Sequence, residues 1–187
     1  MKDYNKNFEF DLKDNINLKN KIKQYLDVYN FEQKKDSNNH LVFIKEGGLL
    51  NGWKFNPLNW ESEINIKLYE NKRAIIQHTV LANGFLTPIA FSTLFKSFLI
   101  NLEQFVNHNI NFQDNNSWQI KLAKRRVFKY HGLVIIGILL GLVCGIIFTK
   151  LSGMELFSTI GIIFGASLTT KLINQYLIKD NNLQHRV

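Results

Sequence analysis

Cysteine is nearly absent from this 187-residue sequence: Cys144 stands alone, which excludes an internal disulfide framework and a cysteine-built zinc site. Proline occurs twice, at positions 57 and 88, so little of the chain is barred from regular structure. The first ten residues, MKDYNKNFEF, lack the apolar core of a secretory signal, and residues 1–130 are expected to stay in the cytosol. No phosphate-cradling glycine loop is present, because neither Gly47-Gly48 nor Gly52 leads into a helix with a Lys-Ser or Lys-Thr pair. His40, His78, His108, His131 and His185 stand at least 23 residues apart, which is not the spacing of a metal site. No metal, cofactor or catalytic residue is therefore expected, and the chain does not read as an enzyme.

Acidic residues are the other scarcity, and it is local. Residues 1–115 carry 14 basic and 13 acidic groups, net +1, whereas residues 116–187 carry 9 basic and 2 acidic groups, net +7; together they give +8. A nucleic-acid binder needs its positive face on the folded domain, so nucleic acid is not an expected partner.

What is there instead is a pair of apolar runs. Gly132–Thr149 contains 18 consecutive uncharged residues, which as a helix cover about 27 Å, close to the thickness of a hydrocarbon core. A short turn, Lys150 to Glu155, leads to Leu156–Thr170, again uncharged, with apolar character continuing past Lys171 to Ile178. Buried core helices are the alternative to membrane spans, more so for the second run, where Ser158, Thr159, Ser167, Thr169 and Thr170 lower the hydrophobicity. Lys171 does not exclude a span, since its side chain reaches the headgroups. Lys121, Lys124, Arg125, Arg126 and Lys129 precede the first run, and Lys171, Lys179 and Arg186 lie at the far end of the second. Positive charge marks the cytoplasmic side, so both termini are expected inside an inner, cell membrane crossed twice. The basic-aromatic stretch Trp118–Tyr130 is then a membrane-surface segment attracted to anionic lipid.

Seven of the eleven glycines fall between 132 and 165. Gly137, Gly141 and Gly145 form one strip on the first helix; Gly161 and Gly165, extended by Ser158 and Thr169, form another on the second. Small residues let helix backbones approach where lipid supplies no hydrophobic drive. The strips pack the hairpin together, or alternatively pack separate chains into an oligomer, with Cys144 in or beside the contact.

The front of the chain reads as a separate α+β domain, residues 1–115, joined by a basic juxtamembrane segment, 116–130, to the hairpin and tail, 131–187. Residues 8–13 alternate as a strand, and Leu18, Ile22, Leu26 and Tyr29 mark a helix over about 16–29. Gln33–His40 is expected to be a loop, with strands at Leu41–Lys45, Leu49–Phe55, Glu63–Leu68 and Ala74–Leu81. Thr87-Pro88 opens a long helix to His108, with Phe91, Leu94, Phe95, Phe98, Leu102 and Phe105 as its apolar face. The predicted order is β-α-β-β-β-β-α with a mostly antiparallel sheet, which resembles small ligand-binding grip folds in order of elements only.

Three features could carry function. Asn51, Trp53, Asn56, Asn59 and Trp60 cluster in LLNGWKFNPLNWE, a recognition surface or a packed corner. Glu61 and Glu63 read as solvated strand-edge carboxylates, and His78, between Ile76 and Val80, as a satisfied core or rim histidine. The resulting expectation is a membrane-anchored cytosolic binding or assembly module, with a protein partner or self-association. A membrane-acting effector, whose glycine-rich hairpin oligomerises to alter the bilayer, is the alternative.

Overall fold

The computed structural model describes residues 3–13, 17–48, 54–82 and 86–184, the side chains of 180–184 excepted. It is an α+β fold with a five-stranded antiparallel sheet and four α-helices. The chain divides into two compact units, Met1–Lys124 and Arg125–Val187.

In the first unit the strands are β1 (Tyr4–Asp11), β2 (Glu32–Ser37), β3 (His40–Lys45), β4 (Ser62–Tyr69) and β5 (Arg73–Val80), in the order β1-β5-β4-β3-β2. Alternation decides which face is buried. Leu41 and Phe43, Ile64 and Ile66, and Ala74, Ile76, His78 and Val80 all point to one face and are buried. Helix α1 (Leu18–Val28) buries Leu18, Ile22, Tyr25 and Leu26. Helix α2 (Ser92–His108) buries Leu94, Phe95, Phe98, Leu99, Leu102 and Val106. The two helices contact each other, and α2 also contacts β1. Phe95 meets Tyr4 at 4.9 Å and His78 at 5.4 Å between ring centroids, so α2 lies against the buried face of the sheet.

Residues 33–37 correct the expected loop: they belong to strand β2, joined to β3 by the two-residue turn Asn38-Asn39. EQKKDS has no apolar period because β2 is an edge strand exposed along most of its length. It is held by backbone pairing to β3, with a register shift between Gln33 and Lys35. Charged edges with bulges are the usual protection against edge-to-edge association. The strand expected at Leu49–Phe55 lies mostly outside the described residues, and Lys54 and Phe55 are not in a strand. The helix expected from Pro88 begins as a 3-10 turn, Pro88–Phe91, before α2 takes over at Ser92.

Helix α3 (Gln113–Ser152) runs for 40 residues, and α4 (Leu156–Gln184) for 29. Both are long and apolar enough to be candidate membrane spans. Gly153 turns the chain between them at φ 74°, a conformation glycine adopts without strain, and its N–H donates to the Thr149 carbonyl at 2.8 Å.

Candidate functional site

The Trp-Asn loop is described from Lys54 onward; Asn51 and Trp53 lie outside the described residues. Asn56 Oδ1 accepts from the Leu58 N–H at 3.2 Å and opens a 3-10 turn, Pro57–Asn59. Trp60 is buried, edge-on to Phe91 at 5.2 Å, and its indole N–H donates to the Lys54 carbonyl at 2.8 Å. Lys54 Nζ donates to the Asn59 carbonyl at 3.0 Å. Asn56 and Trp60 are thus engaged in a packed corner, which leaves Phe55 and Asn59 exposed. Glu61 packs its side chain over Gly47, and Glu63 is exposed on β4.

Beside that corner the buried face of the sheet carries two ionisable groups. Lys45 is 8% exposed; its Nζ donates to the Leu58 carbonyl at 2.6 Å and sits 4.3 Å from the centre of the Phe31 ring. Burial, with the nearby Lys54 charge adding to it, pulls its pKa down to about 8. His78 is 1% exposed between the Tyr4 and Phe95 rings. Its Nδ1 has no hydrogen-bond partner, so it is a core histidine but not a satisfied one. Burial, then the Lys45 charge, pushes its pKa down to about 3.

The sign of the pH effect follows. Between about 3 and the ordinary 6.5 the unfolded chain binds a proton at His78 that the folded chain refuses, so stability falls as the solution is acidified below 6.5. The loss reaches at most about 1.4 kcal/mol per pH unit. Denaturation midpoints from pH 7 to 5 should fall for the wild type, and the slope should flatten in His78→Phe. An unchanged slope in the variant would remove His78 as the cause. At the alkaline end, Lys45 makes stability rise between about 8 and its ordinary 10.5, because the folded state releases the proton first.

A second polar group was not legible as a site in the sequence. Asn116, in the first turns of α3, donates to the Tyr25 hydroxyl at 2.8 Å and the Tyr29 hydroxyl at 2.7 Å. Asn101 on α2 donates to Asn116 Oδ1 at 2.7 Å and accepts from Asn115 at 2.8 Å. Tyr25 donates onward to the Phe98 carbonyl at 2.6 Å. Asn101 and Asn116 are both buried, and burial raises the pKa of the Tyr25 hydroxyl far above its ordinary value. Phe98, Phe105 and Phe112 enclose the network around Tyr25. The available signal was Asn101 itself, a polar residue on the apolar face of α2.

In the second unit the glycines face one another. A side chain at Gly141 would collide with the Gly161 carbonyl, and one at Gly165 with the Gly137 carbonyl. Gly137 also faces Thr169, and Gly145 faces Ser158 and Phe157. Beside this contact runs an apolar groove of about 510 Å³, with Cys144, Phe148, Phe157 and Phe164 in its walls.

The cations named from sequence sit on helix surfaces. Lys121, Lys124, Arg125 and Lys129 on α3 and Lys171 on α4 are exposed, and Arg126 is half-buried. At the α1 end of the sheet an open cleft of about 1230 Å³ has an apolar side formed by Leu12, Leu18 and Leu68. Asn17, Asn20, Asn38, Asn39 and Asn71 are among its polar lining. Among the described residues no three of His, Cys, Asp and Glu come together as metal ligands would. No known family model, curated protein or solved structure matches the chain.

Proposed function

We propose that this protein is a binding or assembly module held at the cytosolic face of the inner membrane by two spans, with both termini inside, acting through contacts with a protein partner rather than through catalysis. The observation that carries the reading is the exposure of its apolar helices. Only 17% of the most apolar 18-residue window of α3, and 6% of that of α4, is buried. A core helix of a soluble domain would be mostly buried. Leu139, Leu140, Phe148, Ile163 and Phe164 are each more than half exposed. Leaving such surface in water costs roughly 25 cal/mol per Å², a penalty that a bilayer removes. Orientation follows from the basic groups before α3's apolar stretch and after α4's. The open cleft beside α1 supports a binding role for the first unit.

The effector reading has less support. Each strip glycine already meets backbone or a small side chain across the hairpin, so the strip is occupied within one chain. A topology reporter tests the proposal. A domain active only outside the cytosol should be silent when fused after Val187 and active when inserted at Ser152. The reverse pattern overturns the orientation, and activity at both sites overturns the two-span count.

A further inference from the structure

We propose that α3 carries a collar for anionic phospholipid headgroups, formed by Lys121, Lys124, Arg125 and Lys129 with Trp118 and Phe128. The inference rests on the reading of the hairpin as a membrane anchor and adds to it a preferred class of lipid.

Helix geometry arranges the collar. With 3.6 residues per turn, Lys121, Arg125 and Lys129 recur every four residues and make one stripe. Trp118 and Leu122 lie on it, and Lys124 and Phe128 flank it. The stripe is exposed: Trp118 at 55%, Leu122 at 42%, and Phe128 beside it at 70%. Asn116, Ala123, Val127, Tyr130 and Val134 are buried and fall on the opposite side of the same helix. The fold uses one side of α3 and leaves the cations on the other.

Those cations have no internal partner. Among the described residues, Lys121, Lys124, Arg125 and Lys129 make no ion pair and no side-chain hydrogen bond. Arg126 lies off the stripe and has interactions of its own. The sequence leaves little local choice, because no Asp or Glu occurs between Asp114 and Glu155. Four unpaired cations on one side of a helix call for an anionic surface.

Two features select a lipid headgroup over a soluble polyanion. The stripe runs into the uncharged stretch without a break, since Lys129 is three residues before Gly132, about 4.5 Å along the axis. Exposed aromatic rings also stand among the cations, the arrangement of a membrane–water interface. From Lys121 to Lys129 the rise is about 12 Å, longer than one headgroup layer of about 5–8 Å, so Lys129 and Arg125 lie nearest that layer and the Lys121 and Lys124 stems bend toward it. Each cation held near an anionic surface favours it by about 1 kcal/mol, roughly a fivefold preference.

The test uses the full-length protein in vesicles of phosphatidylcholine with a minority of phosphatidylglycerol. Lipids retained after mild detergent extraction are measured by mass spectrometry. The wild type should enrich phosphatidylglycerol over its bulk share by about fivefold or more, less at high salt. Changing Lys121, Lys124, Arg125 and Lys129 together to Gln should bring the ratio to within about twofold of bulk, while an exchange of Lys for Arg and Arg for Lys at the same positions should keep it. Equal enrichment in wild type and the Gln variant, or none in either, overturns the collar. Flotation of the wild type with pure phosphatidylcholine vesicles after an alkaline wash separates the two readings. If it floats without enriching phosphatidylglycerol, the collar alone fails; if it does not float, the anchor fails with it.

Discussion

Gly141→Leu is expected to separate the two helices of the hairpin and to lower its thermal stability in detergent, without changing the size of the assembly. The point where a Cβ would start lies against the Gly161 carbonyl and 3.1 Å from the Gly165 Cα. Both obstacles are backbone, so no rotamer change relieves the clash. Overpacking a well-packed contact typically costs about 1–3 kcal/mol, and here the whole side chain beyond Cβ must also find room. In lipid the close contact of small residues is a principal source of helix association, so little else compensates for its loss.

The same substitution separates packing within a chain from packing between chains. The link from Gly153 to Glu155 holds α4 beside α3 at a high effective concentration, with which a second chain must compete. A stability loss with unchanged light-scattering mass is the expected result. A fall in mass means instead that the strip joins chains. Leu139→Ala is the control: Leu139 is 55% exposed, so it removes bulk away from the strip. If that control changes both stability and mass while Gly141→Leu changes neither, the glycines face lipid and the packing account is wrong.

Legibility in the sequence followed burial. β4 buries Ile64 and Ile66 and turns Glu63, Asn65 and Lys67 outward, so period two was written in its residues. β3 was readable only as a short apolar run, because Val42 and Ile44 on its outer face are apolar and half-buried, and β5 likewise places Ile75 on its outer face. The apolar face of α2 was readable for the same reason as β4, whereas the exposed turn at Gly153 was marked by the charged break from Lys150 to Glu155 between two uncharged runs. β2 was not, because an edge strand held by backbone bonds needs no apolar side chain. The four-residue spacing of the glycines was visible, and which helix each would meet followed from the shortness of the link. His78 could be placed on a strand face, but its unpartnered Nδ1 depends on which rings close around it, and those come from β1 and α2. The Asn101–Asn116 pair joins residues on two helices through side-chain amides, and no local pattern records that meeting.

That pair gives the largest expected effect in the first unit. Asn116→Leu should destabilise it by about 2–4 kcal/mol, since each buried polar group left without a partner costs about 1–3 kcal/mol. Three bonds are lost at once: two donated to the Tyr25 and Tyr29 hydroxyls, and one accepted from Asn101. Tyr25 keeps its bond to the Phe98 carbonyl, so the stranded group is the Asn101 amide, 3% exposed on the inner side of α2. For a chain of this length the change corresponds to a fall in Tm on the order of 5–10 °C. Non-additivity is the sharper readout. Asn101→Leu in the Asn116→Leu background removes the stranded amide along with its former partner. Replacing both members of a buried pair by apolar groups of similar shape can be nearly neutral. The double variant should therefore lose clearly less stability than the sum of the two single losses, by about 1 kcal/mol or more. Additive losses, or a single-variant loss below about 0.5 kcal/mol, the level of an ordinary surface change, would mean that water satisfies these amides and that the network does not fasten the start of α3 to α1 and α2.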